Sequence, residues 1–194
     1  MRKSVLKSMY LAIFMFCVTN IFAEERLITF SAGISTGIPF YGSESVSEMK
    51  GNFDYDARVI IGTLASININ PIEQFTFFVG ANTLGDFSWM GGQHLNFLHT
   101  DFPIGAKIYP GLGGLNLGIA YTLGFRADFI KTEYSGYTNR VEAWGNGFRL
   151  HLEYNFAHSG QSQYLPSIGL AWNLMPRGNS DYDNIIMVYI LANF

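Results

Sequence analysis

The chain has 194 residues, 48% hydrophobic and only 14% charged, with a formal net charge of −3. That length is one domain's worth once a leader is removed, and the acid excess disfavours nucleic acid as a partner. Arg2, Lys3 and Lys7 precede an apolar run at residues 9–18, and small Ala23 stands ahead of Glu24 and Glu25. This is the layout of a secretory signal peptide cleaved after Ala23. The run is interrupted by Thr19 and Asn20 and falls short of the roughly 18 to 20 apolar residues of a spanning helix. Cys17 raises a lipoprotein alternative, but bulky Met15 and Phe16 precede it where a lipidation site wants small residues. Cleavage removes three of the twelve basic residues, no acidic ones and the only cysteine, leaving residues 24–194 as one domain with a charge of −6. No long apolar run follows. An apolar chain without spanning helices points to a transmembrane β-barrel, whose signal is spread over alternating strands.

Residues 27–40 set Ile28, Phe30, Ala32, Ile34, Ile38 and Phe40 on one face and Thr29, Ser31, Gly33, Ser35 and Gly37 on the other, a period of two that a helix does not have. The second outward row is Tyr55, Ala57, Val59, Ile61, Ala65, Ile67 and Ile69, opposite Asp54, Asp56, Arg58, Gly62, Ser66 and Asn68, before a turn at Asn70 and Pro71. A third strand offers Phe75, Phe77, Val79 and Ala81, and a fourth Phe102, Ile104, Ala106 and Ile108. The fifth carries Leu115, Leu117, Ile119, Tyr121, Leu123, Phe125, Ala127 and Phe129, the sixth Phe148, Leu150, Leu152, Tyr154 and Phe156, and the seventh Ile168, Leu170, Trp172 and Leu174. Residues 184–194 are the eighth, with Ile186, Val188, Ile190, Ala192 and Phe194 sharing one apolar side.

Two regularities join these segments. Connections near Asn70, Pro110 and Ala157 are short, whereas residues 43–52, 85–100, 131–142 and 175–183 read as long loops, the alternation of periplasmic turns and outer loops in a membrane barrel. Second, every charge within a proposed strand (Asp54, Asp56, Arg58, Asp101, Lys107, Arg126, Asp128, Arg149, Glu153) falls on the row opposite the apolar one. A cation at the bilayer midplane of the lipid face costs about 2 to 4 kcal/mol, which gives that sorting a physical cause. A soluble barrel of the lipocalin kind also alternates, with its apolar row inward. Strands of 11 to 14 residues, a second row rich in glycine and serine, the leader and the terminal aromatic favour the membrane barrel. The expected fold is all-β: an eight-stranded antiparallel up-and-down transmembrane barrel, with both mature ends on the periplasmic side and aromatic belts at both interfaces.

With its alternating strands and the V-Y-I-L-A-N-F terminus, residues 27–194 resemble the small eight-stranded outer-membrane barrels, the OmpX, OmpA-domain and OmpW group, and are similar to a spirochaetal branch of outer-membrane proteins. The resemblance implies a Gram-negative-type outer membrane, surrounding lipids, and recognition of Val188, Ile190, Ala192 and Phe194 by the barrel-assembly machinery as an insertion signal. Relatives serve as adhesins, tethers, narrow conduits or, in one lineage, a lipid acyltransferase, so no site residue carries over.

The residues themselves carry no catalytic, cofactor or metal motif. Ser88, His94, His99 and Asp101 have types suited to nucleophilic or acid–base work without a diagnostic spacing, His94 and His99 lack a third metal ligand nearby, and the glycines at 113 and 114 precede no helix that would seat a phosphate. The inward rows say more. Asp54, Asp56, Arg58, Asp101, Lys107, Arg126, Asp128, Arg149, His151 and Glu153 are expected to form a polar lumen network, because charges in so narrow a barrel must pair or find water. Ile60, Leu64, Phe78, Met187, Tyr189 and Leu191 flank the small inward residues of strand one, and either enclose a greasy recess or fill that space themselves. Two functions follow: a surface adhesin or structural protein binding a host or surface ligand through its outer loops, or a conduit or binder for small apolar molecules.

Overall fold

A computed structural model describes residues 27–133, 136–141, 144–159, 165–176 and 182–194, so the expected leader lies outside the described residues. The elements are β1 (Ile28–Tyr41), α1 (Glu44–Gly51), β2 (Ala57–Ile72), β3 (Phe75–Met90), β4 (Gln93–Ile108), β5 (Leu115–Thr132), β6 (Gly136–Val141), β7 (Gly145–Asn155), β8 (Ser167–Pro176) and β9 (Tyr182–Asn193). Strands pair antiparallel with their neighbours in sequence, and β9 returns to β1 in a register running from Tyr41 opposite Asp183 to Ser31 opposite Asn193. Phe194 completes the seam by exchanging backbone hydrogen bonds with Phe30 at 2.8 and 3.1 Å. The sheet has no free edge along this seam, which removes the hazard of an apolar terminal strand. β6 and β7 both pair with β5, β6 along Ala127 to Thr132 and β7 along Leu115 to Gly124, so they are two pieces of one barrel strand. The closed barrel therefore has eight strands.

Its outer surface explains its solvent. Ile34, Ile104, Ile119, Val188 and Ile190 are each at least half exposed, while their inward neighbours Ser35, Thr122, Met187 and Tyr189 are buried. Aromatic rings gather toward both ends: Phe75 against Phe77 and Tyr154 against Phe156 near the end that holds both termini, and Phe125 against Trp144 and Phe148 against Trp172 toward the other. An apolar girdle bounded by aromatic residues is the exterior of a transmembrane barrel.

Three expectations need correction. Residues 85–100 form no loop: β3 and β4 run through them to a tight turn at Gly91 and Gly92, both at positive φ. Residues 131–142 are likewise mostly strand, as β5 reaches Thr132 and β6 pairs back onto it. Their polar composition suggests a loop, but the period of two persists. The first distal connection, finally, contains α1. β2 starts only at Ala57, so Asp54 and Asp56 stand exposed ahead of it and do not face the lumen.

Candidate functional site

The period of two aims alternate side chains into a lumen that they fill in layers. At the level nearest the termini, Lys107 of β4 donates to both Glu153 oxygens at 2.9 and 3.1 Å, Asn116 donates at 3.2 Å, and the Tyr189 hydroxyl at 3.0 Å. The carboxylate thus accepts four hydrogen bonds from three groups, about its full capacity. Two glycines place the rings beside it. His151 lies across Gly118, its direct partner on β5, and Tyr189 lies across Gly169 on β8, and a Cβ on either glycine would collide with the ring. Arg149 projects from β7 two residues from His151, its guanidinium 5.5 Å from the centre of the Tyr189 ring.

One layer further, Asp101 accepts from Asn82 at 2.7 Å and from Asn173 at 3.1 Å. Above it Arg126, 1% exposed, bonds Asp128 at 2.6 Å and Asp183 at 2.8 Å, and Arg140 of β6 reaches the other oxygen of Asp128 at 3.0 Å. On the facing wall Leu64, Leu84, Ala171, Ile185, Met187, Tyr189 and Leu191 pack into one apolar cluster, with Ile60 against it.

At the distal mouth α1 folds inward. Val46, fully buried, packs with Phe53, Leu95, Phe97 and Ile130, and with Tyr41, Met49 and Met90 around them. Beside this cap Asp86, also fully buried, accepts from Lys50 of α1 at 2.6 Å, from Arg58 Nε and Nη2 at 2.9 and 3.1 Å, and from the Tyr41 hydroxyl at 2.8 Å. Burial holds the Lys50 ammonium below its ordinary pKa, against the upward pull of Asp86. The helix is pinned by a salt bridge and an apolar side chain together.

No family model matches the sequence, and no curated protein matches it. Among solved structures, Ail, the attachment invasion locus protein of Yersinia pestis, in complex with the heparin analogue sucrose octasulfate, superposes with a TM-score of 0.59 at 8% identity, over 86% of this chain and 97% of that one. Neisserial surface protein A matches with a TM-score of 0.50, also at 8% identity and the same coverage. The fold is that of the small eight-stranded outer-membrane barrels.

Within this outer-membrane-type barrel, seven of the ten residues expected in the polar network point inward and are buried: Asp101, Lys107, Arg126, Asp128, Arg149, His151 and Glu153. They belong to separate layers, one around Glu153, one around Asp101 and one around Arg126. Arg58 instead bonds Asp86 at the distal cap through the end of its side chain, and Asp54 and Asp56 stay outside. Phe78 meets the edge of His151 at 5.5 Å, and the other five residues of the expected apolar recess contact one another. These side chains fill the space beside Gly33, Ser35 and Gly37 and leave a cavity of about 30 Å³ among them, while Ser31 lines a larger recess of about 460 Å³ at the end that holds the termini. The four candidate catalytic residues do not converge. Ser88 and His99 are inward and buried, His94 belongs to the outward row of β4, and Asp101 is held by two asparagines. Lys50, Asp86 and Asp183 were missed by sequence reasoning, although Asp86 continues the inward row of Asn82 and Leu84, and Asp183 that of Ile185 and Met187.

Proposed function

We propose that the chain is an integral outer-membrane protein, exported through cleavage of residues 1–23, that works without catalysis as an adhesin or interaction protein through its distal cap. The observation that carries this reading is the contrast between a lumen occupied by side chains and a distal end elaborated into a braced cap. Both termini lie at the other end, which supports the periplasm for that end and the outside for the cap. Val188, Ile190, Ala192 and Phe194 then serve the assembly machinery, and the girdle its surrounding lipid.

The exposed charges of the distal end favour a basic protein surface as partner. Glu44, Glu48, Asp54, Asp56 and Glu133 outnumber Arg58, Lys131 and Arg140 among the described residues there, and complementarity selects the opposite sign. The heparin analogue bound to Ail has the wrong charge for this rim. The test is display of the protein on a non-adherent bacterium, with adherence to host cells measured at low and high salt, beside single-channel recording of the refolded barrel. A salt-sensitive gain in adherence with no conductance is expected. Adherence equal to an empty vector, or steady conductance, would replace this reading with a conduit.

A further inference from the structure

At the end that holds both termini the lumen opens into a recess of about 460 Å³, within the range of about 300 to 1,000 Å³ that small-ligand sites occupy. It ends blind. Lys107 and Glu153 line both this recess and the cavity of about 30 Å³ beyond it, and their ion pair at 2.9 Å closes its floor. The wall is made of neutral hydrogen-bonding groups: Asn68 and Asn70 from β2, Asn155 from β7, Asn193 from β9, and the hydroxyls of Ser31 and Thr76. Ser31, Asn68 and Thr76 are buried although they line it, so the recess reaches well inside the barrel mouth. These side chains hold one another in place. Asn68 donates to Ser31 at 2.9 Å, Ser31 to Asn193 at 2.9 Å and Asn193 to Ser167 at 3.0 Å, while Thr76 donates to Asn70 at 2.7 Å. Each carboxamide nitrogen carries two hydrogens. Among the described residues Asn68 and Asn155 donate one apiece, to Ser31 and to Tyr109, which leaves a second N–H on each for a ligand.

We infer that this recess binds a neutral saccharide of one or two rings. No arginine lines it and its one lysine is bound to Glu153, so an anion finds no fixed cation there. A cation finds only exposed carboxylates, that of Glu73 and the terminal one of Phe194, which hold little in water. An apolar ligand would strand the amides without partners. A saccharide meets these conditions, because neighbouring hydroxyls donate to a carboxamide oxygen and accept from its nitrogen at once. Its ring also has a C–H face. His158, exposed in the turn after β7, lies on Tyr109 with ring centres 4.0 Å apart and 18° between the planes, which offers that face a flat platform. The blind floor admits a compact group or a chain end, and the end of a peptide would bring a terminal charge to a neutral wall. Binding rests on this wall alone. Only the source of the sugar, a free saccharide or the end of a cell-wall glycan, rests on the assignment of this end to the periplasm.

The test uses the mature chain refolded in detergent. It is titrated in a calorimeter with two neutral disaccharides, maltose and diacetylchitobiose, with soluble glycan strands stripped of their peptides, and with two competitors, the anion sucrose octasulfate and a blocked dipeptide. A neutral sugar should bind saturably at one site, and neither competitor should displace it. Asn155→Ala should weaken binding about five- to tenfold and His158→Ala about threefold. Binding of the strands assigns the sugar to the cell wall, and binding of the disaccharides alone assigns it to a free saccharide. No saturable binding of any of the three sugars up to about 10 mM, binding that neither variant weakens, or displacement by the dipeptide overturns the proposal. If Asn155→Ala does not refold, the exposed His158 and its substitution decide the question.

Discussion

The girdle and the distal cap are built from the same strands with opposite rules. In the girdle Ile34, Ile104, Ile119 and Ile190 point out, while Ser35, Lys107, Arg149 and Glu153 point in. Further along the same β4 and β5, Leu95, Phe97 and Ile130 point in against Val46, while His94, Asn96, Thr100 and Lys131 belong to the outward row. The pleat does not change; the solvent does. Hydrocarbon accepts apolar side chains on the outside and leaves the narrow lumen to polar groups that satisfy one another, whereas water restores the ordinary arrangement of a soluble core. The lesson is that one strand obeys two hydrophobic patterns of the same period and inverted sign.

This contrast can be broken at either end. The largest effect is expected for Asp86→Ala, which leaves Lys50 and Arg58 facing each other without the carboxylate that both bind. Removing one partner of such a buried group costs about 3 to 5 kcal/mol. Hydrogen exchange should report it as lost protection in α1 and the distal part of β3, with the girdle unchanged. Next, Ile34→Arg places a cation in the middle of the lipid-facing row of β1 and should lower barrel stability in lipid by about 2 to 4 kcal/mol by urea titration. An unchanged midpoint would mean that this face meets water or protein instead of lipid.

Smaller effects sharpen the comparison. Val46→Ala removes two buried carbon groups from the underside of α1 and should cost about 2 kcal/mol, visible as faster proteolysis within residues 44–51 while the barrel still resists heat. Arg140→Ala should change stability by about 1 kcal/mol or less, since its side chain is 42% exposed and Asp128 keeps Arg126. A larger loss there would show that β6 is held by this pair and not by its ladder with β5.

Much of the girdle was legible in the sequence, because lipid imposes a strict alternation on each strand and excludes charge from one of its faces. Eight barrel strands, their outward rows and the inward placement of Arg126, Arg149 and Glu153 follow from a period of two and the cost of a charge in hydrocarbon. The distal strands were harder to read. Gly85, Asp86, Ser88, Gly92 and Asn96 have the composition of a loop, and on β4 the apolar Leu95 and Phe97 fall on the row that the girdle reserves for polar groups. The tertiary structure alone decided which lumen groups meet. Lys50 reaches Asp86 across 36 residues and Arg126 reaches Asp183 across 57, because closure of the barrel brings distant strands to one axis and no local pattern encodes that approach.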